Sequence, residues 1–462
     1  MSAADTTVPR PTPEPRPVRS PLAAVQESLR SAAPALAVYA AVRLTSMLCL
    51  AVWAWHVGKH PRTLLGRSWD SVWYVGIAQD GYGTALPSRI WPGISFSDLA
   101  FFPLFPGLVR AVAAVTPLGT VSAGLLVAWA SAGAAAWGVH AVARLLYGRR
   151  VALCAVVLWG LLPHAIVQSM AYTEPLLTAL AAWSLYALLT GRWLWAGSLA
   201  LLAGLSRPNG LAVAAAVCAC AAATGLRRIT GGARAAPGRG RAAPGDEPVA
   251  LSDGRAAPGH GRAVPGHGQA TPGDERAAPG HGQAAPCDER AVPGRRPAGW
   301  RIPAAAALAP LGWLGYLGWV GVRRDDPLGY FRIQEDWGSR FDFGRDTLEA
   351  VRRLVLDKGV LAYHMTLALL VAALLLLVLL VLDRPPLALL VYTLVLMAIA
   401  FGGAGYFASK PRFLLPAFPL LLPLALAMAR ARPRTAVVTA VALAGLSWLY
   451  GTYLLTVAPV PI

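Results

Sequence analysis

The chain has 462 residues, of which 56% are hydrophobic and only 14% are charged. Soluble domains carry roughly 25% charged residues, so this composition excludes an ordinary soluble protein and predicts an integral membrane protein. The formal net charge of +18 would suit a nucleic-acid-binding protein, but most arginines lie in short loops between apolar runs or in a low-complexity insert. That distribution follows the positive-inside rule, so we expect no nucleic acid partner.

Eleven apolar runs along the chain can each be interpreted as a membrane-spanning helix. They predict an all-α, polytopic membrane helical bundle. Residues 1–30 are polar and rich in proline and arginine, and we expect a disordered cytoplasmic N-terminus there. The runs lie at approximately residues 33–57, 121–146, 151–172, 174–190, 193–207, 210–226, 302–322, 361–382, 386–403, 412–429 and 435–457.

Arginines flank alternate ends of these runs, which places residues 58–120 and 323–360 on the non-cytoplasmic face as two long outer loops. Residues 101–115 are apolar as well, but a further span there would move Arg149 and Arg150 to the outer face. We therefore expect residues 101–115 to form a helix that lies along the membrane surface, so that the first outer loop carries interfacial helices.

Residues 231–299 separate two transmembrane regions, 31–230 and 300–462. Proline recurs there every seven residues from Pro258 to Pro293, within a heptapeptide repeat rich in alanine, glycine and arginine. Proline in every unit forbids a continuous helix, and such a low-complexity sequence cannot bury a core. We expect a disordered linker, in which the repeat explains the regularly spaced histidines better than a metal site does.

The first outer loop carries aromatic residues around an aspartate. Trp69, Trp73 and Ile77 recur at helical spacing, which predicts a short amphipathic helix with its aromatic side at the lipid interface. Asp70 falls in the first turn of this helix, where the helix dipole favours a carboxylate, and Asp80 is expected to end it. Asp70 is either a helix-start residue in an aromatic anchor or a base that takes a proton from an acceptor hydroxyl.

Two charged residues interrupt apolar runs at the same outer face. Glu174 precedes Pro175 and is expected to begin a helix, where it can pair with Arg207 or bind a sugar hydroxyl. Arg207 ends an apolar run on the outer side, against the positive-inside trend. It therefore needs an anionic partner, which is either a carboxylate of the protein or a lipid phosphate.

Lys410 and Arg412 form the same exception before the tenth apolar run. Basic residues that open onto a membrane pocket from the outer face are suited to holding a phosphate group. Together with Arg207 they predict a phosphate clamp, and the alternative is that they only anchor the topology.

The second outer loop contains the adjacent pair Asp325 and Asp326, which suits either a divalent cation or a solvated turn. Adjacent side chains rarely share one face, so the turn is favoured and no metal site is expected. The sequence has no zinc signature, Walker motif or Ser/His/Asp constellation, and we expect no cofactor. Without a nucleotide-using domain, a reaction here would need an energy source that the membrane supplies.

Five short motifs follow one another along the chain: Trp69-Asp70-Ser71-Val72-Trp73-Tyr74, Phe101-Phe102-Pro103-Leu104-Phe105-Pro106, Tyr172-Thr173-Glu174-Pro175, Ser206-Arg207-Pro208-Asn209-Gly210 and Arg412-Phe413-Leu414-Leu415-Pro416. In this order they resemble the PIG-V family, the GPI mannosyltransferase II-like proteins of the GT-C glycosyltransferase superfamily. The resemblance implies a GT-C bundle, a donor of polyprenyl-phosphate-mannose type, an outward-facing site and an inverting transfer. It also implies a general base in the first outer loop, which maps to Asp70; where this family often has histidine, the chain has Asp80.

The leading hypothesis is a membrane glycosyltransferase whose partners are a polyprenyl-phosphate sugar donor and a glycan, lipid or protein acceptor. Its catalytic residue is Asp70, and its substrate-binding residues are Trp69, Glu174, Arg207, Lys410 and Arg412. The alternative is a transporter or flippase of lipid-linked sugars, which would need polar residues near the middle of the bilayer. A structural scaffold would leave the outward arginines unexplained. The alanine-, arginine- and proline-rich composition favours a multi-pass protein of a bacterial plasma membrane, among membrane lipids.

Overall fold

The structure, a computed structural model, describes residues 21–87, 95–234, 299–356, 359–458 and 460. Contacts divide the chain into two units: Met1–Ala223 with Ala284–Ile462, and Thr224–Gln283. The described part of the second unit is the end of one helix. The predicted linker at residues 231–299 lies outside the described residues, except for residues 231–234 in that helix and residue 299.

Helices dominate the described residues, joined by short 3-10 turns and one small antiparallel strand pair, β1 (Ala85–Pro87) with β2 (Ser95–Ser97). The 3-10 turns are Asp98–Ala100, Ala165–Ser169, Pro208–Gly210, Phe407–Ser409 and Phe418–Leu421. The α-helices are α1 (Pro21–His56), α2 (Pro61–Gly66), α3 (Asp70–Asp80), α4 (Leu104–Val115), α5 (Thr120–Tyr147), α6 (Arg149–Gly160), α7 (Glu174–Leu189), α8 (Trp193–Gly204), α9 (Leu211–Arg234), α10 (Arg301–Leu308), α11 (Leu311–Arg324), α12 (Gly329–Asp336), α13 (Arg345–Leu356), α14 (Leu361–Leu382), α15 (Leu387–Gly402), α16 (Lys410–Phe413), α17 (Leu422–Arg430) and α18 (Pro433–Thr456).

The described residues contain 6 helices long and apolar enough to cross a membrane, and up to 7 if a bent pair counts as one span. The prediction of an all-α membrane helical bundle is confirmed in this coarser form, whereas the count of eleven spans is not. Helices α7, α8 and α15 have 16, 12 and 16 residues. At 1.5 Å per residue they extend about 18–24 Å, less than the roughly 30 Å hydrocarbon core. Which membrane holds the protein stays a prediction.

The N-terminal segment is helical earlier than the sequence predicts, because α1 already begins at Pro21. Residues 21–30 were expected to be disordered on account of their polar character. In the structure this polar extension lies against α5, where Ser28 accepts a hydrogen bond from the Trp137 indole at 3.1 Å and Ser31 accepts one from Arg144. A hydropathy window does not detect a helix extension that is held by such polar contacts.

The predicted span at residues 151–172 ends early, at Gly160. Pro163 explains the break, because its ring excludes a helical bond to the carbonyl of Trp159. That carbonyl instead accepts a hydrogen bond from Gln168 Nε2 at 2.9 Å, and the carbonyl of Leu162 accepts one from the Ser447 hydroxyl at 2.8 Å. Irregular backbone amid apolar helices is tolerated where protein side chains satisfy it in this way.

A second break divides the predicted span at residues 412–429, where the helical segments on either side are bent by 79°. The carbonyls that the break releases are again paired. Pro416 accepts a hydrogen bond from the Tyr392 hydroxyl at 2.8 Å, and Leu415 accepts one from the Trp159 indole at 3.0 Å. Arg412 is thereby held at the start of a broken helix rather than on a straight span.

The predicted helix of the first outer loop is confirmed as α3, with Asp70 in its first turn. The expectation that this side of the helix rests on lipid is wrong for Ile77, and for Trp73 it stays a prediction. Trp73 stacks on Phe101 at 5.7 Å between ring centroids and meets Trp337 edge-on at 5.1 Å, while Ile77 is buried. Aromatic residues from later in the chain thus pack against this side of α3.

Helix α4 lies within the stretch that was expected to run along the membrane surface. Its 12 residues extend about 18 Å, too short to cross the hydrocarbon core. Phe105 and Val109 are buried, whereas Val115 at its end is exposed. The length of α4 is consistent with an interfacial helix, and its position relative to a membrane stays a prediction.

Candidate functional site

Four segments that are distant in sequence meet at one end of the helices. Helix α7 begins at Glu174, and α8 returns along it, so that Arg207 follows three residues after the end of α8. Helix α3 begins at Asp70, and the short α16 contains Arg412. The structure therefore brings together the two carboxylates and the two arginines that the sequence singled out on the outer face.

The four charged side chains form one continuous ion-pair network. Arg412 Nη1 donates to Asp70 Oδ2 at 2.8 Å, and Arg412 Nε lies 3.3 Å from Glu174 Oε1. Arg207 Nη1 pairs with the same oxygen of Glu174. The two positive charges are balanced by two negative charges, and Glu174 is the link between the arginines.

Hydroxyl groups surround this network. Thr173 Oγ1 accepts a hydrogen bond from Arg207 Nη1 at 3.1 Å and lies 3.2 Å from the Tyr74 hydroxyl. The Tyr172 hydroxyl accepts a hydrogen bond from the backbone N–H of Asp70 at 3.1 Å. These contacts join the start of α3 to the start of α7, so that the carboxylates of both helices are held at fixed positions.

Aromatic rings cover the faces of both guanidinium groups. The Arg412 guanidinium lies 5.1 Å from the ring centroids of Tyr172 and Phe413, and that of Arg207 lies 5.7 Å from Phe413. Such contacts favour a buried arginine over a lysine, whose compact ammonium cannot stack. The rings leave the edges of the guanidinium groups, which carry the N–H donors, in contact with the carboxylates of Glu174 and Asp70.

The side chains of the network differ in exposure, with Glu174 the most buried and Asp70 the most exposed. The side chain of Glu174 is 1% exposed, those of Arg412 and Arg207 are 6% and 8% exposed, and that of Asp70 is 24% exposed. Glu174 Oε2 has no hydrogen-bond partner among the described residues. A ligand that enters from solvent would therefore meet Asp70 first and Arg412 next.

Trp69 stands at this opening, with 39% of its surface exposed. Its φ of 54° lies in the left-handed region, which a bulky residue rarely adopts and which costs about 1–3 kcal/mol. Strain of this kind occurs preferentially at functional sites. No contact assigns Trp69 to a substrate, so its role in binding stays a prediction.

Lys410 is not part of the network, although it lies two residues from Arg412. Its ammonium is buried and donates to the carbonyl of Ala400 at 3.0 Å and to that of Gly403. Both carbonyls lie at the C-terminal end of α15, where a positive charge is favoured by the helix dipole. The structure thus gives Lys410 a place at a helix terminus, and its predicted role in substrate binding stays a prediction.

Lys410→Met is expected to lower the free energy of unfolding by about 1.5–3 kcal/mol, because two buried carbonyls lose a charged donor. Lys59→Met is the matched control, since the exposed Lys59 ammonium donates to the carbonyl of Thr456 at 2.8 Å. The control should lose less than about 1 kcal/mol. Thermal unfolding of both purified variants provides the comparison, and equal losses would contradict the helix-terminus role.

Asp326 lies in a turn of the second outer loop. Asp326 accepts a hydrogen bond from the backbone N–H of Leu328 at 3.0 Å and pairs with Arg332 at 3.0 Å, as expected for a turn. Within the described ranges of the chain, no group of three or more histidine, cysteine, aspartate or glutamate residues could hold a metal ion.

Three residues that contact the network were not predicted as site residues, although they belong to the motifs quoted above: Tyr74, Tyr172 and Thr173. Tyr172 and Thr173 immediately precede Glu174, and Tyr74 lies one helical turn after Asp70. The spacing of Tyr74 from Asp70 was a signal for its place in the site, because residues one turn apart share a helix face.

Comparisons of the chain with family models, curated proteins and solved structures found no match.

Proposed function

We propose that the protein is a membrane glycosyltransferase that uses a polyprenyl-phosphate-linked sugar and resembles mannosyltransferases. The observation that carries this proposal is the contact between the Asp70 carboxylate and Arg412 at 2.8 Å, at the partly exposed end of a buried network. A base and a phosphate-binding cation lie side by side there. Transfer from a sugar phosphate to a hydroxyl requires both groups.

Binding of the donor phosphate would displace Asp70 from Arg412, because both anions compete for the same guanidinium edge. Among the described residues, the hydrogen bond to the Asp70 carboxylate comes from Arg412. Once released, Asp70 accepts the proton of the acceptor hydroxyl while the acceptor oxygen attacks the anomeric carbon. The bond from that carbon to the phosphate oxygen breaks with inversion. The leaving phosphate takes the electron pair, and Arg412 stabilises its charge.

Arg207 and Glu174 support this reaction by holding Arg412 in place. Glu174 Oε1 contacts both arginines, so it fixes the Arg412 guanidinium while Asp70 is exchanged for phosphate. Preorganised charges of this kind stabilise a transition state without rearranging during the reaction. Glu174 is therefore a positioning residue in this scheme, and Asp70 is the catalytic one.

The proposed site faces away from the cytoplasm. At the opposite ends of the helices from the network, Arg192 lies between α7 and α8, and Arg149 and Arg150 lie at the start of α6. Short loops rich in arginine mark the cytoplasmic side. The likeness of the five sequence motifs to the PIG-V family agrees with an outward-facing site and with mannose as the transferred sugar.

A transporter or flippase of lipid-linked sugars is the second candidate, and the two broken helical segments favour it. Transporters bind substrate at discontinuous helices, and the breaks after Gly160 and after Phe413 are of that kind. The ion-pair network at one end of the helices, rather than at mid-depth, favours the transferase.

One assay separates the two candidates. Purified protein in liposomes is given a polyprenyl-phosphate sugar with a label in the sugar, together with a mixture of envelope glycolipid acceptors. Release of free polyprenyl phosphate with label on the acceptor supports transfer. Movement of the intact donor between leaflets without cleavage supports transport and would refute the transferase.

A further inference from the structure

A third arginine is buried away from the candidate site. Arg43 lies within α1, in the first apolar run, and is 5% exposed. Its Nε and Nη2 donate to Ser169 Oγ at 3.2 and 2.8 Å, and its Nη1 donates to the carbonyl of Gly160 at 3.4 Å. These three hydrogen bonds leave two of its five N–H groups for another acceptor.

The charge of Arg43 is uncompensated in this environment. None of the ion pairs among the described residues includes Arg43. Ser169 and Gly160 offer neutral oxygens only. A charged side chain buried without an ionic partner is costly, and in membrane proteins it marks a ligand or ion pathway by default.

A cavity of about 540 Å³ adjoins Arg43. It runs between α1 and α5 and reaches the Ala165–Ser169 turn. Apolar side chains line most of it, among them Leu36, Leu44, Met47 and Trp129. The cavity thus has the size of a small-molecule site, with an apolar length and a single cationic group.

The depth of Arg43 sets it apart from the candidate site. Gly124 of α5 lies against Ala171, which precedes Tyr172 at the ion-pair network. Trp129, which lines the cavity with Arg43, follows five residues later, which is about 7.5 Å further along the helix. A ligand on Arg43 would therefore sit deeper among the helices than one on Arg412.

We propose that this groove binds a membrane lipid with its phosphate on Arg43 and its hydrocarbon chain along α1 and α5. A guanidinium edge with two free N–H groups matches two phosphate oxygens. The apolar walls match a hydrocarbon chain, and the phosphate supplies the negative charge that Arg43 lacks among its protein neighbours. The proposal does not depend on the glycosyltransferase activity.

Photocrosslinking tests the proposal directly. Full-length protein in liposomes is exposed to hexadecyl phosphate carrying a diazirine on its chain, and adducts are mapped by mass spectrometry. Adducts are expected on groove residues such as Met47 and Trp129. Unlabelled hexadecyl phosphate should suppress them and hexadecanol should not. Equal suppression by hexadecanol would show an apolar groove without a phosphate site.

Two variants alter different parts of the groove. Arg43→Gln removes the cation, and Gly133→Phe fills the space, since a Cβ built on Gly133 meets nothing within 4 Å. Each should reduce groove adducts by about tenfold or more. Gly445→Phe, in α18 at a glycine with equally open space, is the matched control and should retain them.

Arg412→Gln separates this proposal from the proposed function, because it alters the candidate site but should leave groove adducts unchanged. Thermal unfolding of each variant reports whether it is folded. If Arg43→Gln does not fold, the adducts formed by Gly133→Phe provide the test of the lipid site. Undiminished groove adducts in folded Arg43→Gln, or in Gly133→Phe, would overturn the lipid phosphate site.

Discussion

Asp70→Asn is expected to reduce the rate of sugar transfer by about 10²–10⁴-fold, the usual contribution of a general base. The amide keeps the size of the carboxylate and still accepts a hydrogen bond from Arg412, which is 2.8 Å away in the wild type. It cannot accept the proton of an acceptor hydroxyl. Release of polyprenyl phosphate from labelled donor in liposomes measures the rate.

The control for this variant is Asp80→Asn at the other end of the same helix. Asp80 is exposed and lies ten residues after Asp70, so the substitution removes an equal charge from α3 outside the network. Its transfer rate should match that of the wild type. If Asp70→Asn turns over donor as fast as Asp80→Asn does, Asp70 is not the base.

Glu174→Gln is expected to destabilise the protein by about 3–5 kcal/mol, because it leaves buried charges unpaired. Glu174 is 1% exposed and contacts both Arg207 and Arg412. Without the charge of Glu174, Arg412 keeps its contact with Asp70, whereas Arg207 loses its ion pair. Thermal unfolding in detergent, compared with wild type, measures the loss as a lowered midpoint.

The double variant Glu174→Gln with Arg207→Gln restores the charge balance, since Asp70 and Arg412 remain as a pair. It should therefore be more stable than Glu174→Gln alone. Glu349→Gln is a surface control, because Glu349 is 45% exposed where it pairs with Arg353, and it should change stability by less than about 0.5 kcal/mol. A double variant less stable than Glu174→Gln would argue against a charge-balanced network.

Residues of the candidate site were predictable where the sequence breaks a membrane rule. Arg207 and Arg412 oppose the positive-inside trend, and Asp70 and Glu174 each occupy the first turn of a helix. Such charges require partners of opposite sign, and in the structure the two arginines pair with the two carboxylates. The pair between Glu174 and Arg207 was one of the alternatives left open by the sequence, and the structure shows it. The contacts of Arg412 with Asp70 and Glu174 were not predicted, because a bend of 79° in the later helical segment positions Arg412.

Arg43 was missed because the hydropathy window averages a single charge with its apolar neighbours. Its signal was present as an arginine inside the first apolar run, where charges are rare. Lys410 was grouped with Arg412 because it is near in sequence. A turn of a short helix points neighbouring side chains in different directions, and the Lys410 ammonium reaches α15 instead.

The break after Gly160 shows why the number of spans was not predictable from length. Apolar residues continue on both sides of Pro163, so composition alone extends the run to residue 172. Whether such a run forms one span depends on the partners of its released carbonyls. Those partners, Gln168 and Ser447, include a residue almost three hundred positions away.

Mass spectrometry of envelope glycans and glycolipids tests the central claim most directly, because it requires no assumption about sugar or acceptor. Cells that produce the protein naturally are compared with cells in which the gene carries Asp70→Asn or Asp80→Asn. We expect one glycosylated product to be absent from the Asp70→Asn cells and present in the wild-type and Asp80→Asn cells. An unchanged glycan profile in Asp70→Asn cells, with the variant protein present in the membrane at the normal level, would contradict it.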